Sequence, residues 1–261
     1  ACMRKSLLFI FLFFVQYSFG QQQFQLAAPL LKYNSAFFSG STSLQMIFDQ
    51  PGAEIYYTVN GKEPTRNDLL YKEPLIVTAR TVVKAKTFGK DFLSSETSVV
   101  EFINAGKMIR QISFSKPNEK YTGNKTDILN DNIGGNTNFN NSEWLGYNND
   151  TVEINIDLAK KETIHSVLIS ILQDENSWIF LPGQILVYYL DKQKTFLPAG
   201  KEIFFSESKS PKQCFAKEII FSSKIKTDKL KLIMLPLKKI PDWHPGKGNH
   251  AWLFIDEIKV Y

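Results

Sequence analysis

Short runs of alternating apolar and polar residues recur along the chain, and they constrain its fold more than any other feature. In the run TVEINIDL (151–158), Val152, Ile154 and Ile156 share one side of an extended strand, and the polar residues share the other. The runs AEIYYTV (53–59) and DKLKLIML (228–235) repeat this period of two, and Gly, Pro, Asn and Asp separate such runs. Many short strands between turn residues predict an all-β protein made of sandwiches or barrels, not an α/β fold.

The first twenty residues predict export. The segment MRKSLLFIFLFFVQYSFG (3–20) has a basic start, an apolar run and small residues at its end, which is typical of a cleaved signal peptide. The apolar run is too short for a membrane span, so we expect none in the mature chain. We therefore expect residues 1–20 to be removed and the protein to reach the periplasm, the cell surface or the medium. Because the signal directly precedes the first domain, we also expect a complete secreted product.

Charge and cysteine content narrow the possible partners. The chain carries a formal net charge of +5, but its lysines alternate along strands instead of clustering in the sequence, so we expect no nucleic-acid binding. Cys214 is the only cysteine after the signal, so no disulfide stabilises the mature protein.

A boundary is expected near Asn104-Ala105-Gly106, which divides the chain into domains at 21–106 and 107–261. The second domain begins with an asparagine-rich segment, roughly residues 116–150. A loop of that length is usually functional or held in place by a ligand.

The first domain resembles a known accessory domain. The segment GAEIYYTVNGKEPTRNDLLYKEPLIVTARTVVKAKTFGKDFLSSE (52–96) is similar to the C-terminal domain of chitobiases and β-hexosaminidases. That resemblance implies an immunoglobulin-like β-sandwich. The family usually has Asp where this chain has Asn60, and the pair Asn60-Gly61 predicts a tight hairpin turn between two strands.

The second domain resembles the discoidin, or F5/8 type C, family. The resemblance rests on five segments: DILNDNIGG (127–135), SEWLGY (142–147), VEINIDL (152–158), ILQDENSWIFLP (171–182) and PDWHPGKGNHAWLFIDEIKVY (241–261). It implies a galactose-binding-like jelly-roll sandwich, similar to those attached to bacterial family 20 β-N-acetylhexosaminidases. The two domains together are similar to the C-terminal accessory region of such enzymes.

The discoidin resemblance also implies a structural Ca²⁺ between the first long loop and the last strand. The matching positions are Asp131 and Glu257, with Asn136 and Thr137 as further oxygen ligands. Zinc is not expected, because the soft ligands show no paired spacing: His165, Cys214, His244 and His250.

Tryptophans in loop-like segments are the candidates for ligand contact. A sugar ring stacks on an exposed aromatic side chain beside hydrogen-bonding groups. The candidate ligand-binding residues are Trp144, Trp178 and Trp243 with Asp174, Asn176, His244 and Asn249. The same tryptophans could instead pack the loops together, and the sequence leaves both alternatives open. Surrounding prolines and glycines favour exposure of Trp243, whereas Trp252 is expected in the core.

Catalysis is not expected. Hexosaminidases of the resembled family use an adjacent Asp-Glu pair on a (β/α)8 barrel, and this chain has two such pairs, Asp174-Glu175 and Asp256-Glu257. Two β-domains leave no room for a barrel, and neighbouring residues on a regular strand point to opposite faces.

Three functions follow from these observations. We favour an exported, non-catalytic protein that binds a glycan or glycoconjugate. One alternative is a structural or docking module of a glycosidase or a cell-surface complex, with that protein as partner. The other is the C-terminal region of a β-N-acetylhexosaminidase that lacks its catalytic barrel.

Overall fold

A computed structural model describes residues 24–261, and the predicted signal peptide lies outside this range. The all-β prediction is confirmed: the described chain consists of strands, turns and one short 3₁₀ turn at Glu175–Ser177. No helix in the described range is long and apolar enough to cross a membrane. The strands are β1 (Leu30–Lys32), β2 (Phe37–Phe38), β3 (Thr42–Ile47), β4 (Ala53–Thr58), β5 (Leu69–Leu70), β6 (Leu75–Val77), β7 (Thr81–Gly89), β8 (Ser98–Asn104), β9 (Ile109–Phe114), β10 (Leu145–Tyr147), β11 (Val152–Gln173), β12 (Gln184–Leu190), β13 (Phe196–Ile203), β14 (Gln213–Leu235) and β15 (Leu253–Val260).

The N-terminal strands form a β-sandwich, as the first resemblance implies. A three-stranded sheet, β1-β3-β6, faces a five-stranded sheet, β2-β8-β7-β4-β5. The alternation in β7 turns Val83, Ala85 and Thr87 inward, and all three are fully buried. The core between the sheets comprises Phe38, Leu44, Met46, Ile55, Val77, Val83, Ala85, Val100 and Phe102.

The predicted two-residue hairpin at Asn60-Gly61 is wrong. Gly61 has a positive φ of 73°, but Asn60 is not among the residues with positive φ. The Asn60 side chain instead accepts the Lys62 N–H at 3.1 Å, and β4 pairs with β5 only after a longer connection. Because an Asn side chain can cap its own turn, Asn-Gly also fits an open loop.

The C-terminal strands form one continuous sheet that folds over itself into a sandwich. The long strands β11 and β14 pair antiparallel, with register breaks between Asp157 and Glu162 and between Ile164 and Ser166. Before the breaks β11 also pairs with β9, and after them it pairs with β15. Each long strand therefore contributes to both layers, which gives the predicted jelly-roll sandwich. The core between the layers includes Val152, Ile154, Ile156, Val167, Ile169, Ile185, Val187, Leu232, Leu253 and Ile255.

Strand register brings the connecting loops to two opposite ends of this sandwich. Gln173 pairs with Gln213, and Gln184 pairs with both Leu235 and Ile203. Segments 174–183, 204–212 and 236–252 therefore leave the sheet at the same end, which we call the loop end. Segments 158–163, 191–195 and 221–228 lie at the other end, which we call the base.

The two sandwiches contact each other directly. Phe37 packs with Ile103 of the first sandwich and Leu168 of the second. The Lys107 N–H donates to the Val260 carbonyl at 2.7 Å, and the chain passes from one sandwich to the other between β8 and β9. The predicted boundary at 106/107 falls in this passage, and independent folding of its two sides stays a prediction.

Candidate functional site

The first loop of the loop end is a closed turn after β11. The backbones of Asp174 and Ile179 exchange two hydrogen bonds, at 3.0 and 3.1 Å, around the 3₁₀ turn. This closure holds Trp178 at φ 62°, a left-handed conformation that bulky residues adopt only when their surroundings enforce it. The Trp178 carbonyl also accepts the Trp252 N–H at 2.8 Å, so the turn is fixed to the start of β15.

The second loop, residues 241–249, packs on the first. The Gly246 N–H donates to Nδ1 of His244 at 3.0 Å, and the Ile240 N–H donates to the Asn249 carbonyl at 2.8 Å. A Cβ atom on Gly246 would lie 2.8 Å from the Trp178 indole, so the absence of a side chain there allows the two loops to approach. Backbone hydrogen bonds and this close contact together fix the position of Trp178.

Two tryptophans of these loops remain partly exposed. The exposed fraction is 39% for Trp178 and 36% for Trp243. The Trp243 indole N–H donates to the Ser206 carbonyl at 2.8 Å, and its ring lies 6.3 Å from that of Phe180. Each indole is therefore anchored along part of its surface and open to solvent along the rest. Asn176 and Asn249 are also exposed on the same two loops.

Phe205 belongs to this surface, although the sequence analysis missed it. It is 77% exposed and directly precedes Ser206, the acceptor for Trp243. Its neighbour Phe204 packs on the core and lies 6.1 Å from Phe215. In the sequence, Phe204-Phe205 resembles the buried end of a strand. Because successive side chains of a strand point to opposite faces, only one of the two was to be expected in the core.

Two predicted ligand contacts are wrong because the side chains are buried. Asp174 is 3% exposed, and its Oδ2 accepts the Ser177 hydroxyl and lies 2.8 Å from Lys212 Nζ. His244 is 7% exposed and packs edge-on against Phe180, with 5.5 Å between ring centroids. Both side chains stabilise the loops instead of facing a ligand.

The predicted ligand contact of Trp144 is also wrong, because only 1% of its surface is exposed. It packs in a cluster with Leu172, Ile179 and Phe254, and its indole N–H donates to the Asn136 carbonyl at 3.0 Å. Trp252, expected in the core, packs partly buried against the same cluster.

The first carboxylate pair is structural. Glu175, like Asp174, is buried, and its carboxylate accepts hydrogen bonds from Gln173 Nε2 at 3.0 Å and from the Ser210 N–H at 2.9 Å. Both carboxylates therefore hold the ends of β11 and of the 204–212 loop.

The second pair, Asp256-Glu257, contradicts the expectation that neighbours on β15 face opposite sides. The register between β11 and β15 shifts by one residue at this point, which is a β-bulge. Both carboxylates consequently contact one loop: Asp256 accepts the Gly135 N–H at 2.5 Å, and Glu257 accepts the Ile133 N–H at 3.1 Å. Burial raises the pKa of Asp256 to about 6 and that of Glu257 to about 8.

The fold brings Asp131 and Glu257 together, as the expected calcium site requires: the Ile133 N–H donates to Asp131 Oδ1 at 2.9 Å and to Glu257 Oε1 at 3.1 Å. Two further buried oxygens, Oδ1 of Asn132 and Oε2 of Glu143, accept no hydrogen bond and suit a hard cation. However, Lys125 Nζ lies 2.7 Å from Asp131 and 3.7 Å from Glu143 Oε2, and Lys259 Nζ lies 2.5 Å from Glu257. These ammonium groups already balance the carboxylates and would compete with an ion.

The remaining predicted calcium ligands do not join this buried cluster. Asn136 and Thr137 are exposed, and the Asn136 side chain accepts the Asn138 N–H at 2.8 Å. Within residues 24–261, no three His, Cys, Asp or Glu side chains are arranged as a metal-binding group. Calcium binding through Asp131 and Glu257 stays a prediction.

Comparison with known proteins agrees with the first resemblance. Residues 33–100 match the chitobiase/beta-hexosaminidase C-terminal domain. The resemblance seen in the strands of the first sandwich is therefore confirmed over these residues. No curated protein matches the chain.

Solved structures similar to the chain include carbohydrate-binding modules. The family 32 module from Streptococcus pneumoniae EndoD has a TM-score of 0.41 and 14% identity, and the match covers 60% of this chain and 96% of that one. The family 32 module of AlyQ, in complex with 4,5-unsaturated mannuronic acid, has a TM-score of 0.38 and 11% identity over 59% and 96% of the two chains. The lectin binding domain of lectinolysin, complexed with Lewis b, has a TM-score of 0.37 and 19% identity over 60% and 92%.

Proposed function

We propose that the protein binds carbohydrate without hydrolysing it, and that the glycan contacts Trp178 and Trp243 at the loop end. The observation that carries this proposal is the pair of partly exposed indoles on two loops that pack together. Backbone hydrogen bonds hold Trp178, and the bond from its indole N–H to the Ser206 carbonyl holds Trp243, so little conformational freedom is lost on binding.

The chemistry of this surface suits a sugar ring. A pyranose presents an apolar C–H face that packs on an indole, while its hydroxyl groups need hydrogen-bonding partners. The exposed amide of Asn176 provides donors and an acceptor, and the amide of Asn249, whose Nδ2 donates to the Gly246 carbonyl at 3.0 Å, keeps its oxygen and its second N–H for a ligand. Phe205, one residue before the Ser206 carbonyl that holds Trp243, adds a third exposed aromatic side chain to this end.

The absence of hydrolysis is part of the same proposal. Each carboxylate of the two Asp-Glu pairs is buried and accepts a hydrogen bond from a backbone N–H or a side chain of the protein. A retaining or inverting glycosidase needs two carboxyl groups open to one glycosidic bond. Export through the signal peptide rests on residues 1–20 alone and is proposed on that ground.

A docking function is the second candidate, because 77% exposure of Phe205 also suits a protein partner. The partner would be a glycosidase or a cell-surface protein that covers the loop end. Such a surface would bind that protein but no free glycan. Binding to a glycan array therefore distinguishes the two functions.

The glycan proposal is tested on the mature chain with a glycan array, followed by titration of the best ligand. Trp178→Ala and Trp243→Ala should each weaken binding by about 10-fold, because each removes a stacked ring. Phe196→Ala is the matched control, since Phe196 is 38% exposed but lies at the base. Recovered glycans should be unchanged after incubation. Equal affinity of all four proteins, or glycan cleavage that stops in Asp174→Asn, would contradict the proposal.

We also propose that Ca²⁺ binds at Asp131 and Glu257. An ion that binds only the folded protein raises the stability of the fold by mass action, so chelation should lower the melting temperature. Asp131→Asn should remove this dependence, whereas Asp150→Asn, at an exposed carboxylate of another loop, should keep it. Identical melting curves with chelator and with excess calcium would mean that Lys125 and Lys259 supply all the countercharge.

A further inference from the structure

The base of the second sandwich gathers lysines that are far apart in sequence. Four residues of β11, 158–161, lie opposite the single residue Asp228 of β14. Four residues of β14, 221–224, lie opposite the single residue His165 of β11. Segments 158–161 and 221–224 therefore bulge out at the same corner, where both long strands pass from one layer to the other.

The turn between β12 and β13 adjoins this corner. The Thr227 hydroxyl donates to the Leu190 carbonyl at 2.9 Å, which fixes the end of β12 against β14. The Asp191 N–H donates to the Thr195 carbonyl at 3.0 Å and closes the turn. Three turns thus bring six exposed side chains together, which we call the lysine corner: Lys160, Lys161, Lys192, Lys194, Lys224 and Lys226.

Positive charge exceeds negative charge at this corner: the same turns carry three carboxylates, Glu162, Asp191 and Asp228, beside the six ammonium groups. Among the described residues, Lys160 is the only member with a carboxylate within 4.0 Å, and its partner Glu162 is also shared with Lys107 at 3.4 Å. The nearby Asp191 carboxylate accepts the Thr195 N–H at 2.8 Å and shapes the turn. An excess of unpaired ammonium groups on adjoining turns attracts polyanions.

We propose that the lysine corner is a second binding site, for an acidic polysaccharide that carries carboxylate or sulfate groups. Six ammonium groups on mobile stems can each donate to a different anionic group along such a chain. All six are lysines, whereas recognition of phosphates in nucleic acids favours the planar fork of arginine. The site lies at the opposite end of the sandwich from Trp178 and Trp243, and it does not depend on their function.

The test compares binding of dextran sulfate and polygalacturonate with binding of neutral dextran. The variant Lys161→Glu/Lys224→Glu/Lys226→Glu should lose affinity for both anionic polymers by at least about 10-fold. The matched control is Lys32→Glu/Lys72→Glu/Lys90→Glu, which changes the net charge equally at exposed lysines of the first sandwich. That control should bind within about 3-fold of the unmodified protein. A second corner variant with glutamine at the same three positions avoids charge reversal if the first does not fold.

Several outcomes would overturn the proposal. Corner variants that bind as tightly as the unmodified protein would show that the corner is not the site. Equal losses in the control would show a response to net charge alone. Tighter binding of duplex DNA or of anionic lipid vesicles than of both polysaccharides would identify a different class of partner. Because Trp178→Ala and Trp243→Ala leave the corner intact, they should retain polyanion binding whether or not the loop end binds glycan.

Discussion

Replacing Lys259 by methionine is expected to lower the free energy of unfolding by about 3–5 kcal/mol at pH values well above 8, because Glu257 there loses the countercharge that lets it ionise while buried. Lys259 is 1% exposed and Glu257 is 0% exposed. The Lys259 Nζ lies 2.5 Å from Glu257 and 3.3 Å from the side-chain oxygen of Asn130. Chemical denaturation of the variant and the unmodified protein measures the difference.

The loss should grow as the pH rises. Burial already raises the pKa of Glu257 to about 8, and without the Lys259 ammonium this pKa should rise further. The carboxyl group then keeps its proton in the folded state at pH values where the unfolded chain has released it. Up to about pH 8 Glu257 keeps its proton in both folded proteins, so the difference in stability between them grows as the pH rises from about 8 towards the higher folded pKa of the variant.

A double variant provides the control. Lys259→Met/Glu257→Leu removes both charges and should be less destabilised than Lys259→Met alone, since no unpaired charge remains. If Lys259→Met is as stable as the unmodified protein at every pH, the buried pair does not contribute as described.

Trp144→Ala is expected to destabilise the second sandwich by about 3–5 kcal/mol, which is the usual range for removing a buried aromatic side chain. Trp144 is 1% exposed, packs on Leu172 and Phe254, and satisfies its indole N–H through the Asn136 carbonyl. The substitution therefore leaves a cavity beneath the 131–143 segment together with an unpaired carbonyl.

Trp243→Ala is the matched comparison for Trp144→Ala, because it removes the same side chain from a position that is 36% exposed. Its destabilisation should be smaller, since less surface is removed from a packed environment. Thermal melts of the two variants rank them directly. A Trp243→Ala protein that melts below Trp144→Ala would mean that Trp243 is the packing residue of the two.

The strand pattern could be predicted from the sequence because alternation is a local property. Val152, Ile154 and Ile156 were assigned to one face by their spacing, and all three are fully buried. The resemblance to the chitobiase/beta-hexosaminidase C-terminal domain was also predictable, because residues 33–100, which carry the match, form one continuous segment of the sequence.

The roles of loop residues could not be predicted, because they depend on which loops pack together. Trp144 and Trp178 both lie in polar segments, yet one is buried beneath a loop and the other stays exposed beside Gly246. Asp256 and Glu257 turn to the same loop because of a bulge that the alternation of β15 does not reveal. The lysine corner is assembled by register between β11 and β14, so its lysines look scattered in the sequence.

The most direct test of the central claim is the titration of one array-selected glycan into the double variant Trp178→Ala/Trp243→Ala. If both indoles stack on the ligand, binding should weaken by about 100-fold, while the melting temperature stays above that of Trp144→Ala. If the double variant binds that glycan as tightly as the unmodified protein does, the loop end is not the carbohydrate site.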